Sequence, residues 1–142
     1  MLKISKLADY AVVVLGALQR QPEGGAAAEL AAQVRLPQTT VAKVLKLLAK
    51  AGLVQASRGA SGGYRLLRDA RAIPVTEVIA AIDGPVKLTD CVGEHQGCLQ
   101  NSCSLRGRWD PVNRAIVTAL NDVTLADLLG AAPIIPAYAE AS

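Results

Sequence analysis

The chain is 142 residues long, 51% hydrophobic yet only 3% aromatic with no Phe, and carries a net charge of +3. That length suits one domain with at most an appended pairing element, and an Ala-, Leu- and Val-rich composition favours closely packed helices over an aromatic-rich β-sandwich. No apolar run approaches the roughly 20 residues of a membrane span and no cleavable leader is visible, which excludes a membrane partner and gives a soluble, cytoplasmic protein as the expectation.

The first element follows from Leu7, Tyr10, Ala11, Val14, Leu15 and Leu18, whose helical spacing predicts an amphipathic helix over residues 7–20. Pro22, Gly24 and Gly25 end it. A second short helix is expected over 27–34, with Leu30, Ala31 and Val34 inward. Leu36-Pro37 breaks the pattern before a third helix over 38–51, which buries Val41, Val44, Leu45 and Leu48 and stops at Gly52. Residues 53–57 and 64–67 read as two strands around the turn Arg58-Gly59-Ala60-Ser61-Gly62-Gly63. A further short helix over 76–82 follows Pro74 and closes at Asp83-Gly84-Pro85. Beyond it, Leu105, Trp109, Val112, Ile116, Ala119 and Val123 step by four and three, the narrow seam of two helices pairing lengthwise. Pro111 sets that helix either to start at Asp110 or to start near Ser104 and bend. Thr124 to Asp127 resembles a capping box for a last short helix, and the tail 131–142 is expected to be loose.

Two helices joined by a tight turn and followed by a glycine-tipped hairpin give a mainly α fold: a winged helix-turn-helix with a long dimerisation helix. The division is 1–85 for DNA binding, 86–104 for a cysteine-bearing loop, 105–130 for the dimerisation helix and the short terminal helix, and 131–142 for the tail. Charge distribution agrees. Residues 35–71 hold eight basic side chains against one acid, Asp69, whereas the rest of the chain holds seven against eleven. Such a concentration is the electrostatic footprint of phosphate contacts. In a helix-turn-helix the second helix enters the major groove by its N-terminal residues. Gln38, Thr39, Thr40 and Lys43 are therefore the candidate base-reading residues, with Lys46 and Lys50 on phosphates. Arg58 and Ser61 belong to the hairpin tip, where an Arg suits a narrow minor groove.

Cys91, Cys98 and Cys103 form C-x6-C-x4-C in a stretch without apolar periodicity. An odd number of cysteines in a cytoplasmic chain points to metal or redox chemistry before a disulfide framework. Thiolates are soft ligands for iron–sulfur clusters, zinc or copper(I), and the spacing is not that of a zinc ribbon. Three thiolates leave one position short of four, open to His95, to Asp9, to solvent or to a partner chain. One His, no P-loop and no recognisable nucleophile–base pair argue against an enzyme.

The residues Ile4-Ser5-Lys6-Leu7-Ala8-Asp9-Tyr10-Ala11, Leu53-Val54, Ser57 through Tyr64, Asp83-Gly84-Pro85 and the three cysteines resemble the Rrf family of winged-helix regulators. The N-terminal stretch is most similar to regulators of the SUF iron–sulfur assembly system. The resemblance, over residues 1–130, implies a homodimer on a double-stranded operator of approximate two-fold symmetry. It also implies an iron–sulfur cluster, 2Fe–2S or 4Fe–4S, on Cys91, Cys98 and Cys103, controlling a repressor of iron–sulfur assembly or redox-stress genes. IscR-like members carry a His ligand three residues after the last cysteine, where this chain has Arg106. NsrR-like members use an acidic residue of the first helix from the other protomer, which matches Asp9. The spacing departs from the family's usual five-and-five, with the same total span. The alternative is a winged-helix regulator sensing through zinc or direct cysteine oxidation.

Overall fold

A computed structural model describes residues 2–60, 62–93 and 103–130. Helix α1 (Lys6–Gln19) begins where the Ser5 hydroxyl accepts the Ala8 N–H (3.1 Å), and it buries Ala8, Ala11, Val14, Leu15 and Leu18. These positions recur at helical spacing, so one stripe of α1 is core and the opposite face, with Asp9, is solvated. Helices α2 (Ala27–Val34) and α3 (Gln38–Lys50) pack on α1, and Val41, Val44, Leu45 and Leu48 of α3 are fully buried there. Gly52 stops α3 in the left-handed region, at φ 77°, and the Leu53 N–H returns to the Leu48 carbonyl (3.0 Å).

Strands β1 (Val54–Ser57) and β2 (Gly63–Leu66) form one antiparallel hairpin, with Val54 opposite Leu66 and Ser57 opposite Gly63. A single 3₁₀ turn, Ala70–Ala72, leads into α4 (Val75–Asp83), which lies against α1 and α3. The predicted boundaries of these elements agree with the structure to within one residue. Together they make the winged helix-turn-helix.

The chain returns to this body at its other end. The Leu125 N–H donates to the Ile73 carbonyl (2.7 Å) and the Val75 N–H to the Val123 carbonyl (2.9 Å), bridging Pro74 and Thr124. Thr124 and Asp127 form the expected capping box of α6 (Leu125–Leu129), and Leu125 is fully buried in the core. Leu129 seats on Gly16, where an added Cβ would lie 2.8 Å from Leu129 Cδ2. Gly16 is thus a notch in α1 for α6.

Helix α5 (Asp110–Asn121) starts at Asp110 with Pro111 in its first turn, and residues 104–109 are successive turns leading into it. The predicted seam is exposed at its start: Leu105 and Trp109, in the turns ahead of α5, and Val112 within it are 55%, 44% and 45% exposed, whereas Ile116 and Val123 are half-buried. The inner side of α5 meets α4, where the Thr76 hydroxyl donates to Asn121 Oδ1. Among the described residues no helix is long and apolar enough to cross a membrane.

Leu48 carries the packing argument for α3. Leu48→Ala should lower unfolding free energy by about 2–5 kcal/mol, the range for emptying a buried leucine site. Urea unfolding checks this, and a loss under ~1 kcal/mol would show that the stripe is not tightly packed.

Candidate DNA-binding surface and cysteine loop

The turn between α2 and α3 is set by Arg35, a residue in the left-handed region (φ 57°, ψ 41°) whose N–H caps α2 on the Ala31 carbonyl. The Leu36 N–H reaches the same carbonyl (3.2 Å), and the chain turns so that Val41 bonds back to Pro37 (3.1 Å) at the start of α3. Because Val41, Val44, Leu45 and Leu48 point inward, the other face must point outward. Gln38, Thr39, Lys43, Lys46 and Lys50 are all exposed, and Thr40 is half-buried. Thr39, Lys43, Lys46 and Lys50 follow each other at four, three and four residues, one continuous row down the helix.

The hairpin is tied to this unit by a feature the sequence reading missed. The Gly25 N–H donates to the Tyr64 carbonyl (2.9 Å) and the Tyr64 N–H to the Gly25 carbonyl (2.8 Å), so the residue just ahead of α2 pairs with the free edge of β2. The approach is close enough that a Cβ on Gly63 would lie 2.6 Å from the Gly25 oxygen. In the sequence Gly24-Gly25 reads as a helix stop, and the only signal of this contact is a glycine pair ahead of a glycine-rich hairpin. At the tip, Ser57 Oγ accepts the Gly63 N–H (3.2 Å) and the Gly62 N–H bonds the Gly59 carbonyl (2.9 Å). Arg58 is exposed there, and Ser61 lies outside the described residues.

Three members of the basic segment are engaged locally. The Arg68 guanidinium forks onto Glu77 (2.6 and 3.1 Å) and also donates to the Ala72 carbonyl, joining the hairpin exit to α4. Arg71 donates from its side chain and its backbone N–H to Asp69, and these bonds hold the Asp69 carboxyl from its ordinary 3.8 down to about 2. Arg65 donates to Gln55 across the hairpin (2.7 and 3.1 Å). Within the basic segment 35–71 the cations without such an engagement among the described residues are Arg35, Lys43, Lys46, Lys50 and Arg58, which all flank the α3 row or the hairpin tip.

Of the cysteines, Cys91 and Cys103 are described and half-buried. Cys91 precedes the buried Val92, and Cys103 offers its carbonyl to the Arg106 N–H (3.2 Å) in the first of the turns leading to α5. Cys98 and His95 lie outside the described residues. Among those described, no three His, Cys, Asp or Glu side chains gather at metal-holding distance, and Asp9 is exposed on α1. As a donor set, partly accessible thiols in a short loop fit a cluster of soft, thiolate-ligated metal ions.

The Rrf2 family profile, described as iron-dependent transcriptional regulators, matches residues 4–131. The transcriptional repressor NsrR of Streptomyces coelicolor is 31% identical over 129 residues, covering 91% of this chain and 87% of its own. The transcriptional regulator IscR of Vibrio campbellii is 32% identical over 130 residues, covering 90% and 77%. Among solved structures, T. potens IscR superposes with a TM-score of 0.65 at 30% identity, over 90% of this chain and 86% of its own. CymR, the global cysteine regulator of B. subtilis, does so at 0.71 with 26% identity, over 94% and 100%.

The pairing of Gly25 with Tyr64 predicts that Gly63→Ala, by pushing a methyl against a backbone oxygen, costs about 1–3 kcal/mol and deprotects the Tyr64 amide. Hydrogen exchange read alongside thermal unfolding tests it; a protected Tyr64 amide in the variant would refute the contact. The lowered Asp69 carboxyl stabilises the fold above the ordinary carboxylate range and loses that effect as pH falls from about 4 towards about 2. Asp69→Asn should therefore flatten the acid limb of the stability curve over that window, measured by unfolding at stepped pH.

Proposed function

Because the chain belongs to the Rrf2 family of transcriptional regulators, we propose that it is a homodimeric, iron–sulfur-dependent repressor of iron–sulfur assembly or redox-stress genes. Cys91, Cys98 and Cys103 hold the cluster, with Asp9 of the partner subunit as the fourth ligand. What supports this reading best is the exposed row Thr39, Lys43, Lys46 and Lys50 beside the hairpin, in one molecule with a three-thiol loop. The name of the repressor NsrR and the family's iron-dependent description support the same direction.

In this reading residues 1–85 bind DNA, 86–104 carry the cluster, 105–130 hold the pairing helix and α6, and 131–142 trail. Gln38 offers an amide for adenine, Thr39 and Thr40 offer hydroxyl and methyl groups, and Lys43 suits guanine or phosphate. Lys46 neutralises backbone charge, while Arg58 and Ser61 at the hairpin tip take the minor groove and its phosphates. The exposed seam of Leu105, Trp109 and Val112 pairs two protomers, so that two α3 helices meet successive major grooves of a two-fold operator. Because the cytoplasm keeps thiols reduced, Cys91, Cys98 and Cys103 are available as ligands rather than tied in a disulfide. When bound, the cluster supplies redox-sensitive bonds between iron and the cysteine thiolates.

Anaerobically purified protein should be coloured and contain iron and sulfide, and Cys98→Ala should reduce both to background while helical content persists. Operator fragments selected from genomic DNA should bind holo- and apo-protein with different affinity; equal affinities would remove cluster control. Colourless protein with stoichiometric zinc would instead establish the zinc reading. Lys43→Ala and Lys46→Ala should each reduce the slope of log affinity against log salt by about one. An unchanged slope in both would take α3 off the duplex.

A further inference from the structure

Asn113 is the one polar residue among those described that is buried, with 7% of its surface exposed. It lies in the second turn of α5, beside the open seam rather than in it. Its side chain reaches 25 and 27 residues back along the chain. Nδ2 donates to the Val86 carbonyl (3.2 Å), and Oδ1 accepts the Leu88 N–H (2.9 Å). One amide thus satisfies a carbonyl and an N–H two residues apart, as a neighbouring strand's peptide group would. A carboxylate in its place would keep the acceptor and lose the donor; a leucine would lose both.

The position of this contact gives it a consequence for the cysteines. Leu88 is three residues before Cys91, and the chain then runs on until Cys103, where the bond from Arg106 opens the turns that end in α5. The turns carry on through Arg108 to Leu105 (3.0 Å), Asp110 to Gly107 (3.2 Å) and Asn113 to Trp109 (2.9 Å). The far root of the loop is therefore fixed to α5 by covalent continuity and the near root by the Asn113 side chain. Holding both ends of such a loop together removes closure entropy that a ligand bridging its thiols would otherwise have to overcome.

We propose that Asn113 is a positioning residue that clamps the near root of the cysteine loop to α5, and so pre-organises Cys91 relative to Cys103 for their ligand. This deepens, and for its metal arm rests on, the reading of the loop as a cluster site. Groups that orient metal ligands without touching the metal commonly change metal affinity by about 10- to 100-fold when removed.

The test compares wild type with Asn113→Leu and with the near-isosteric Asn113→Asp, which serves if the leucine variant does not fold. In apo-protein, Leu88 amide exchange and maleimide modification of Cys91, resolved by mass spectrometry, should both accelerate about tenfold in Asn113→Leu, the factor expected for one hydrogen bond. The acceleration should be smaller in Asn113→Asp, which retains an acceptor for Leu88. Affinity for non-specific duplex DNA should stay within about twofold, since α3 and the hairpin are untouched. After anaerobic reconstitution, iron loss to a chelator should quicken about tenfold or more. Unchanged Leu88 exchange and Cys91 modification would overturn the clamp whatever the iron content. Accelerated rates in a protein whose wild type takes up no iron would support the clamp and sink the cluster reading instead.

Discussion

The burial of Val41, Val44, Leu45 and Leu48 against α1 is the constraint from which the remaining geometry follows. Four fully buried aliphatic side chains at helical spacing fix the rotation of α3 about its own axis, because turning it would bring Lys43 or Lys46 into the core. Desolvating a lysine without a partner costs several kcal/mol, far more than a neighbouring side chain gains by readjusting. The outward row of Thr39, Lys43, Lys46 and Lys50 is thus set by what lies on the other side of the helix.

Two further contacts hold the frame around α3, and each joins segments far apart in sequence. Gly25 and Tyr64 exchange backbone hydrogen bonds, so the hairpin is registered on the start of α2 instead of extending freely from β1. Ile73 and Val75 exchange bonds with Val123 and Leu125, which brings α6 under α1 and seats Leu129 on Gly16. The Arg68–Glu77 pair links the hairpin exit to α4, but both partners are about 40% exposed. Its energetic contribution is accordingly small, and its main effect is to withdraw one guanidinium from the basic surface.

The helices and the hairpin were legible because their information is local: apolar spacing, Pro37, Gly52 and the glycine-rich turn each act within a few residues. The onset of α5 was legible as one of two options, and Pro111 in its first turn decides it. What the sequence hid is non-local. The glycine pair at 24–25 permits a close approach but does not name Tyr64 as its partner, and Asn113 reads as an ordinary polar helix residue until Val86 and Leu88 are seen beside it. Charge was legible in amount but not in use: Arg68 and Arg71 counted towards the basic segment, yet each is held by a carboxylate. The cysteine set was legible by chemistry alone, since spacing gives donor type and number but not which side chains converge.

These constraints also bear on how a signal at the loop would be transmitted under the proposed reading. Helix α3 has no freedom to swivel, because its buried stripe belongs to the same core as α1, Leu53 and Leu125. The loop roots, in contrast, are fastened to α5, which starts beside the exposed Trp109 and carries the exposed Val112. A change of loop state therefore acts first on the helix assigned to pairing. A small rotation at that helix is multiplied by the distance to α3, so it alters how two rigid reading heads are spaced rather than how either is shaped. Half-site spacing on a duplex is fixed by its helical repeat, and binding to both halves at once falls steeply when the protein's spacing departs from it. A rigid core with a loop-coupled pairing helix is consequently well suited to convert chemistry at thiols into operator affinity, without any deformation inside the winged helix itself.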